Sequence, residues 1–345
     1  KIAADRIADR GWDATLFDTL VGASGGPKWL ILSEMDQVLG RDFLSGRELP
    51  LTLLGSSIGT WRHACLSQPD PVAAIQRLQK AYLYNQHYSG IKPLAHEVSA
   101  VAEHMLAEAL GKEGALHIIE HPHYRNAIVT ARAKGIARGI RPASLILGMT
   151  LATISNALSR DWLSLFFQRI VFCHRDLANL PFAEGFETTS VPLTRANVVP
   201  ALKASGAIPF LMQCENSISG APPGPFWDGG IIDYHFSLTR PETEGLVLYP
   251  HFRDRLTPGW FDKALRWRTP HRPKLDNLVL LCPSHEFLAS LPYGKIPDRG
   301  DFRTMPVKER ITYWEICIAE SQRLAQAFYN LITDGEPLRG VKILS

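Results

Sequence analysis

The first part of the chain alternates short, continuously apolar runs with clusters of small residues. Residues 16–21 (Leu-Phe-Asp-Thr-Leu-Val) read as a buried strand that ends in the cluster Gly22-Ala-Ser-Gly-Gly26. Pro27 suits the first turn of a helix, where its missing N–H leaves no bond unmade. Trp29, Leu30, Leu32, Met35, Val38 and Leu39 then supply the apolar face of that helix. Residues 49–54 (Leu-Pro-Leu-Thr-Leu-Leu) read as a second strand, and Gly55-Ser-Ser-Ile-Gly59 turns it into a helix expected over 60–66. Strand, glycine turn and helix, taken twice, predict a parallel sheet with crossover helices.

Residues 71–110 are helical in pattern, and 117–120 and 127–131 read as short strands around a turn at Pro122. The apolar stretch 143–172 reads as helical, 244–249 and 277–282 as later buried strands, and 307–332 as a closing helix. No internal repeat and no Gly/Ser linker divides the chain. A single domain over 1–345 is therefore expected, with a helical insertion between the second strand and residue 195.

Composition narrows the function classes. The 345 residues are 46% hydrophobic and 21% charged, enough for a sizeable core. A net charge of +3, without clustered Lys/Arg and interleaved aromatics, argues against nucleic acid as a partner. The five cysteines, at 65, 173, 214, 282 and 317, form no C-x-x-C pair and sit in apolar contexts. They read as reduced, buried thiols, and zinc would need closer Cys/His spacing. The opening Lys1-Ile2-Ala3-Ala4-Asp5-Arg6 looks like a polar helix start and not a secretory leader. The longest apolar stretch, 145–158, is broken by Thr150, Thr153, Ser155 and Asn156 and falls short of a membrane span. The expected location is the cytoplasm, with peripheral membrane contact allowed.

The pattern Gly-x-Ser-x-Gly occurs at 22–26 and again at 55–59, each time after an apolar strand. It places a serine on a sharp strand-to-helix turn beside helix N-terminal amides. One match is weak, since about 0.1 chance matches are expected per chain of this length, whereas two are harder to dismiss. The adjacent Gly25 and Gly26 suit an oxyanion hole, because glycine amides can turn toward one point. Ser57, at the apex between an apolar strand and a helix start, is the expected nucleophile, and Ser24 its rival. A phosphate-binding loop is excluded, since Pro27 and Trp29 stand where Gly and Ser/Thr are required around Lys28. A serine nucleophile needs a base, and Asp228-Gly229-Gly230 permits a bare turn that carries a carboxylate close to another backbone. Alone, that tripeptide also reads as an ordinary Asp-Gly turn.

Gly25-Gly26-Pro27-Lys28, then Gly55-Ser56-Ser57-Ile58-Gly59, then Ala204-Ser-Gly-Ala-Ile-Pro-Phe210, then Asp228-Gly229-Gly230 resemble, in this order, the patatin-like phospholipase family. The resemblance covers about 16–235, and the extension 236–345 carries no recognisable motif. It implies an α/β fold, a three-layer α/β/α sandwich on a mostly parallel central sheet. It also implies a Ser57–Asp228 dyad without histidine, with Gly25 and Gly26 as oxyanion hole and Ser24 and Lys28 as neighbours of that loop. No cofactor and no metal is required. The implied substrate is a lipid acyl ester, of a phospholipid or lysophospholipid. Two alternatives accompany it: a neutral-lipid or small-ester hydrolase or acyltransferase with the same dyad, and a lipid-binding or regulatory protein with weak turnover. The chain departs from the family pattern in Ala23-Ser24 before the glycine pair, in Pro27 and Trp29, and in Asp233-Tyr234 after the Asp-Gly-Gly.

Three other features compete for a role. An α/β-hydrolase triad would run Ser, acid, His along the chain, and His235, His251 and His285 all follow Asp228, His285 being best placed. Arg125, Arg132, Lys134, Arg138 and Arg141 read either as alternating charges on a solvated strand pair or as contacts to anionic headgroups. The stretch 145–172, with Trp162, Leu163, Leu165, Phe166 and Phe167, reads as core or as an acyl-chain lining.

Overall fold

The computed structural model describes residues 1–342 except 91, 178–179, 181, 183–184, 239–244, 266 and 269–275. The described elements run in the order α1 (Ile2–Arg10), β1 (Phe17–Gly22), α2 (Ser33–Val38), β2 (Leu51–Ser56), α3 (Ile58–Leu66), α4 (Pro71–Tyr84), α5 (Ala95–Leu110) and α6 (Gly114–Glu120). There follow β3 (Tyr124–Ala133), α7 (Pro142–Leu158), β4 (Phe167–Cys173), β5 (Thr188–Pro192), α8 (Val198–Gly206), β6 (Phe226–Asp228), β7 (Leu246–Pro250) and β8 (Leu278–Leu281). The chain closes with α9 (His285–Ser290), α10 (Asp301–Thr304) and α11 (Val307–Thr333).

The strands form one sheet in the order β5-β4-β3-β2-β1-β7-β8, with β6 added to β3. Neighbours are parallel except at β3–β4 and β3–β6. Helices flank the sheet, giving the expected α/β fold with a mostly parallel centre. Strands β1 and β2 are buried almost throughout because helices cover both faces of such a sheet. One apolar cluster reaches from Ala3 to Phe328. Its C-terminal end is α11, whose Phe328 meets the rings of Trp12 and Phe43 edge-on.

Several expectations are corrected. Residues 117–120 lie in helix α6, whose buried positions Gly114 and Ile118 are four apart, a helical spacing. The end of the stretch 143–172 is not helical: α7 gives way to β4, a strand buried at all seven positions. Hydrophobic periodicity does not separate such a strand from a buried helix. The helix after Pro27 begins as a 3-10 turn, Gly26–Leu32, before α2. Of the expected strand 244–249, residue 244 lies outside the described residues, and the strand itself runs Leu246–Pro250. Cys65, Cys173 and Cys317 are buried, but Cys214 is half-buried and Cys282 exposed.

Two features lock the sheet's upper edge. The two serine motifs interlock, since a Cβ on Gly59 would lie 2.1 Å from the carbonyl oxygen of Gly22. Only bare backbone lets the start of α3 cross the end of β1 this closely. Below that crossing, the Arg62 guanidinium on α3 grips both carboxylate oxygens of Asp36 on α2, at 2.6 and 2.7 Å, and both side chains are buried. Burial pushes the Asp36 carboxyl up, and the Arg62 charge opposes that shift. We expect Asp36→Ala to strand the Arg62 charge and to destabilise the fold by about 3–5 kcal/mol, read from urea denaturation. A loss below about 1 kcal/mol would show that water solvates Arg62 in the variant.

Candidate active site

The site is assembled on one edge of β3. Strand β2 pairs with β3 as far as Ser56 opposite Val129. Strand β6 takes over the same edge at the next residue, with Asp228 opposite Thr130. The residue that leaves β2 therefore emerges beside the residue that ends β6. Ser57 Oγ donates to Asp228 Oδ2 over 2.8 Å, and both residues are buried.

Ser57 has φ 54 and ψ −134, a backbone conformation that L-residues rarely adopt. Its backbone oxygen accepts from Thr60 N at 3.0 Å and Thr60 Oγ1 at 2.7 Å. Its amide donates to Ser205 Oγ at 2.9 Å, and Ser205 Oγ donates in turn to Val129 O at 2.7 Å. The small-residue stretch 204–210 also holds the acid, because Asp228 N donates to Ala207 O at 2.8 Å. One short segment thus braces both candidate residues.

Asp228 spends its second oxygen on the Gly230 amide, 2.7 Å away. Burial raises its pKa, while Arg299, the hydrogen bonds from Ser57 and Gly230, and Lys263 pull it down. The two glycines behind it are required by space: a Cβ on Gly229 would lie 2.2 Å from Val129 O, and one on Gly230 2.8 Å from Ser24 Oγ. Asp233, the departure from the family pattern, anchors this turn. Its carboxylate takes a two-point grip from Arg169 of β4 at 2.6 and 2.8 Å, and its backbone oxygen accepts from Ser56 Oγ at 2.6 Å.

Ser24 sits in the same pocket but is spent. Ser56 gives its one hydroxyl proton to Asp233, so Ser24 is the donor in the 2.7 Å contact between the two hydroxyls. The Ser24 amide donates to Tyr234 O and the Lys28 amide to Gly25 O. The amides of Gly25 and Gly26 have no acceptor among the described residues, and Gly26 is in the left-handed region at φ 56.

The pocket is small, a cavity of about 20 Å³ lined by Ser24, Ser57, Ile208, Pro209, Asp228, Gly230, Ile231, Tyr234, Trp260, Lys263 and Arg299. Gly25 and Gly26 are not among these lining residues, although a Cβ on Gly26 would touch Arg299 Nε at 3.0 Å. Trp260, Lys263 and Arg299 were not singled out from sequence and fall where no motif stands, and Tyr234 stood out only as a departure from the motif pattern. Lys28 is half-buried with its ammonium 5.3 Å from the Phe252 ring centroid, and burial with the nearby Arg253 pushes its pKa down to about 8. Lys263 is an exposed residue whose ammonium lies 3.5 Å from the Tyr234 ring centroid. Crowding of that ammonium, then Arg299 and Lys28, push its pKa down to about 6, and Asp228 opposes them.

None of the three rival histidines lines the pocket. His235 Nδ1 accepts from Thr257 N at 2.6 Å, and His251 Nδ1 lies 2.6 Å from Arg253 O. Burial drives both toward the neutral form. His285 is exposed beside Asp254. In the basic segment, Arg125 pairs with Asp176, Arg132 binds Pro223 O and Gln168, and Lys134 pairs with Glu187. In the stretch 145–172, Leu145, Met149, Leu163 and Phe167 are core, Leu158, Trp162 and Leu165 are exposed, and none lines the pocket. Among the described residues no cluster of His, Cys, Asp or Glu is placed to hold a metal, and no helix is long and apolar enough to cross a membrane.

No protein-family model matches the chain, and no curated protein sequence matches it. Among solved structures, VipD from Legionella pneumophila aligns with a TM-score of 0.36 and 13% identity, over 90% of this chain and 67% of VipD. The type III effector protein ExoU aligns with a TM-score of 0.28 and 16% identity, over 94% of this chain and 58% of ExoU. At these scores the likeness assigns nothing to this chain.

The raised pKa of Asp228 makes a stability prediction. The folded state favours its protonated form, so the ionised carboxylate is a liability that grows as pH rises through the folded pKa. We expect the near-isosteric Asp228→Asn to melt above the wild type at about pH 8, with the difference closing as pH falls and Asp228 protonates. Thermal melts across that range check it, and a variant that melts lower at every pH would show net stabilisation by the carboxylate.

Proposed function

We propose that the chain is a serine ester hydrolase of the patatin-like kind, with Ser57 as nucleophile and Asp228 as its general base. The observation that carries this reading is the direct 2.8 Å hydrogen bond from Ser57 Oγ to Asp228 Oδ2 on a strained turn. The ordered motifs at Gly25–Gly26, Gly55–Gly59 and Asp228–Gly230 support it. We read residues 236–345 as part of the same hydrolase unit, since Lys263 and Arg299 line the pocket.

In this mechanism Asp228 Oδ2 takes the Ser57 proton as Oγ adds to the ester carbonyl carbon. The negative charge that develops on the carbonyl oxygen is met by the unspent amides of Gly25 and Gly26, and each such donor is worth about 2.7–4 kcal/mol of barrier. Collapse breaks the carbon–oxygen bond of the ester, and Asp228 returns the proton to the departing alkoxide. Water, deprotonated by the same carboxylate, then releases the acid from Ser57. Burial of Asp228 matters here, because a carboxylate whose pKa is raised is a stronger base. The substrate class that suits the reading is a phospholipid or lysophospholipid acyl ester met at a membrane surface, with Ile208, Pro209, Ile231 and Trp260 as the apolar lining.

Steady-state kinetics on a nitrophenyl ester, with a melt for each variant, tests the reading. Ser57→Ala should abolish turnover in a folded protein, and Asp228→Asn should lower kcat by at least about 10³. His235, His251 and His285 variants that remain folded should each lose less than about tenfold. A folded histidine variant that falls as far as Asp228→Asn would replace the dyad by a triad, and retained turnover in Ser57→Ala with loss in Ser24→Ala would exchange the serines. Because Asp228 must be ionised to act, kcat/KM should fall as pH drops, with a midpoint above about 4, the ordinary carboxylate value.

A further inference from the structure

The mouth of the pocket is lopsided in charge. Lys263 and Arg299 line it directly, and Lys28 and Arg253 stand close enough to act on them. Two carboxylates oppose these cations. Asp228 is occupied by Ser57 and Gly230, and Asp298 is held by Lys295 at 3.2 Å and by the Gly300 amide at 2.6 Å. Arg299 lines the pocket together with Asp228 and Lys263 and acts on the charge of both. Neither Lys263 nor Arg299 has a carboxylate within ion-pair distance among the described residues. Like charges gathered without counter-ions repel one another, and an arriving anion relieves that repulsion.

We propose that Arg299 and Lys263 form an anion-binding subsite that selects acyl esters carrying a phosphate or phosphodiester beside the scissile bond. The inference rests on the Ser57–Asp228 reading for its substrate, but not for the binding itself. Arg299 offers a planar fork of donors that matches phosphate oxygens, and Lys263 a point charge on a long stem. Apolar Ile208, Pro209 and Trp260 share the same pocket, so one ligand with an apolar chain and an anionic group satisfies both sets of residues. Both cations come from the segment beyond 235, so a part of the chain without catalytic motifs would set substrate choice. The reaction remains hydrolysis: water adds across the ester, the acyl carbon–oxygen bond breaks, and a fatty acid and a phosphorylated alcohol leave.

The test uses two water-soluble esters with one acyl chain, octanoyl glycerol phosphate and monooctanoylglycerol, and reads fatty acid release. We expect kcat/KM for the anionic ester to exceed that for the neutral one by at least about tenfold. Arg299→Gln and Lys263→Gln should each reduce that ratio at least about fivefold, and Arg299→Lys should restore part of it. A wild-type ratio near one, or a ratio unmoved by both variants, overturns the proposal while leaving the hydrolase reading intact. If neither ester is cleaved, the hydrolase reading fails, and melts of Ser57→Ala decide the subsite alone. A rise in Tm with octanoyl glycerol phosphate, absent with monooctanoylglycerol and lost on adding Arg299→Gln, supports it, and no rise overturns it. Inorganic phosphate at the same concentration separates the sources. A rise equal to that with the ester would mark a site for free phosphate and overturn the role in substrate choice. Should Arg299→Gln not fold, Lys263→Gln and Arg299→Lys carry the same comparisons.

Discussion

Ten residues make β3 long enough for two strands to share one of its edges, and the candidate site depends on that sharing. Strand β2 uses the edge up to Val129 and β6 uses it from Thr130 onward, in the opposite direction. Backbone ladders hold a register to within a fraction of an ångström, because a slip of one residue would turn every side chain to the other face. The approach of Ser57 to Asp228, 171 positions apart in sequence, is therefore set by main-chain pairing and not by side-chain flexibility. The segment 204–210 adds a second restraint, with Ser205 on the Ser57 amide and Ala207 on the Asp228 amide.

Strain at Ser57 has to be balanced by surroundings that permit no alternative. The interlocked Gly22 and Gly59 supply one such surrounding, since neither backbone can retreat without breaking its strand or helix. Two buried ion pairs supply another. Arg62–Asp36 joins the helix that leaves Ser57 to the helix that leaves the glycine loop, and Arg169–Asp233 joins the turn after Asp228 to β4. Such pairs are weak sources of net stability, but each defines one geometry for the elements it joins, and both join elements that carry the site. The small chain of hydroxyls from Ser24 through Ser56 to Asp233 does the same, and of the serines 24, 56 and 57 it leaves Ser57 with the carboxylate partner.

Charge is distributed unevenly between the parts of the chain. The region up to residue 235 supplies the serine, the acid and the glycine loop, while the region after it supplies Lys263 and Arg299 of the same pocket, with the exposed Arg253 close enough to act on Lys263. The cations favour the ionised form of Asp228 against the cost of its burial, so the strength of the candidate base is a compromise between the two regions. The net charge of +3 gave no hint of this, because an overall sum says nothing about local excess.

The sequence by itself determined the strand–turn–helix units and the mostly parallel sheet, and it marked Ser57 and Asp228 as candidates, because these rest on local rules. Small residues must flank a sharp turn, and an Asp-Gly-Gly must be bare. It also marked 204–210 as significant, though not what that segment touches. Tertiary structure decided the rest. Whether an apolar run is a strand or a helix depended on its neighbours, so β4 and α6 were misread. That Asp233 meets Arg169 and that Ser24 spends its proton on Ser56 depend on distances no spacing along the chain encodes. Lys263 and Arg299 carry no motif because a long, flexible cation reaches a pocket from many backbone positions. Their relevance comes only from where the fold brings them, beside Asp228 and opposite an apolar wall.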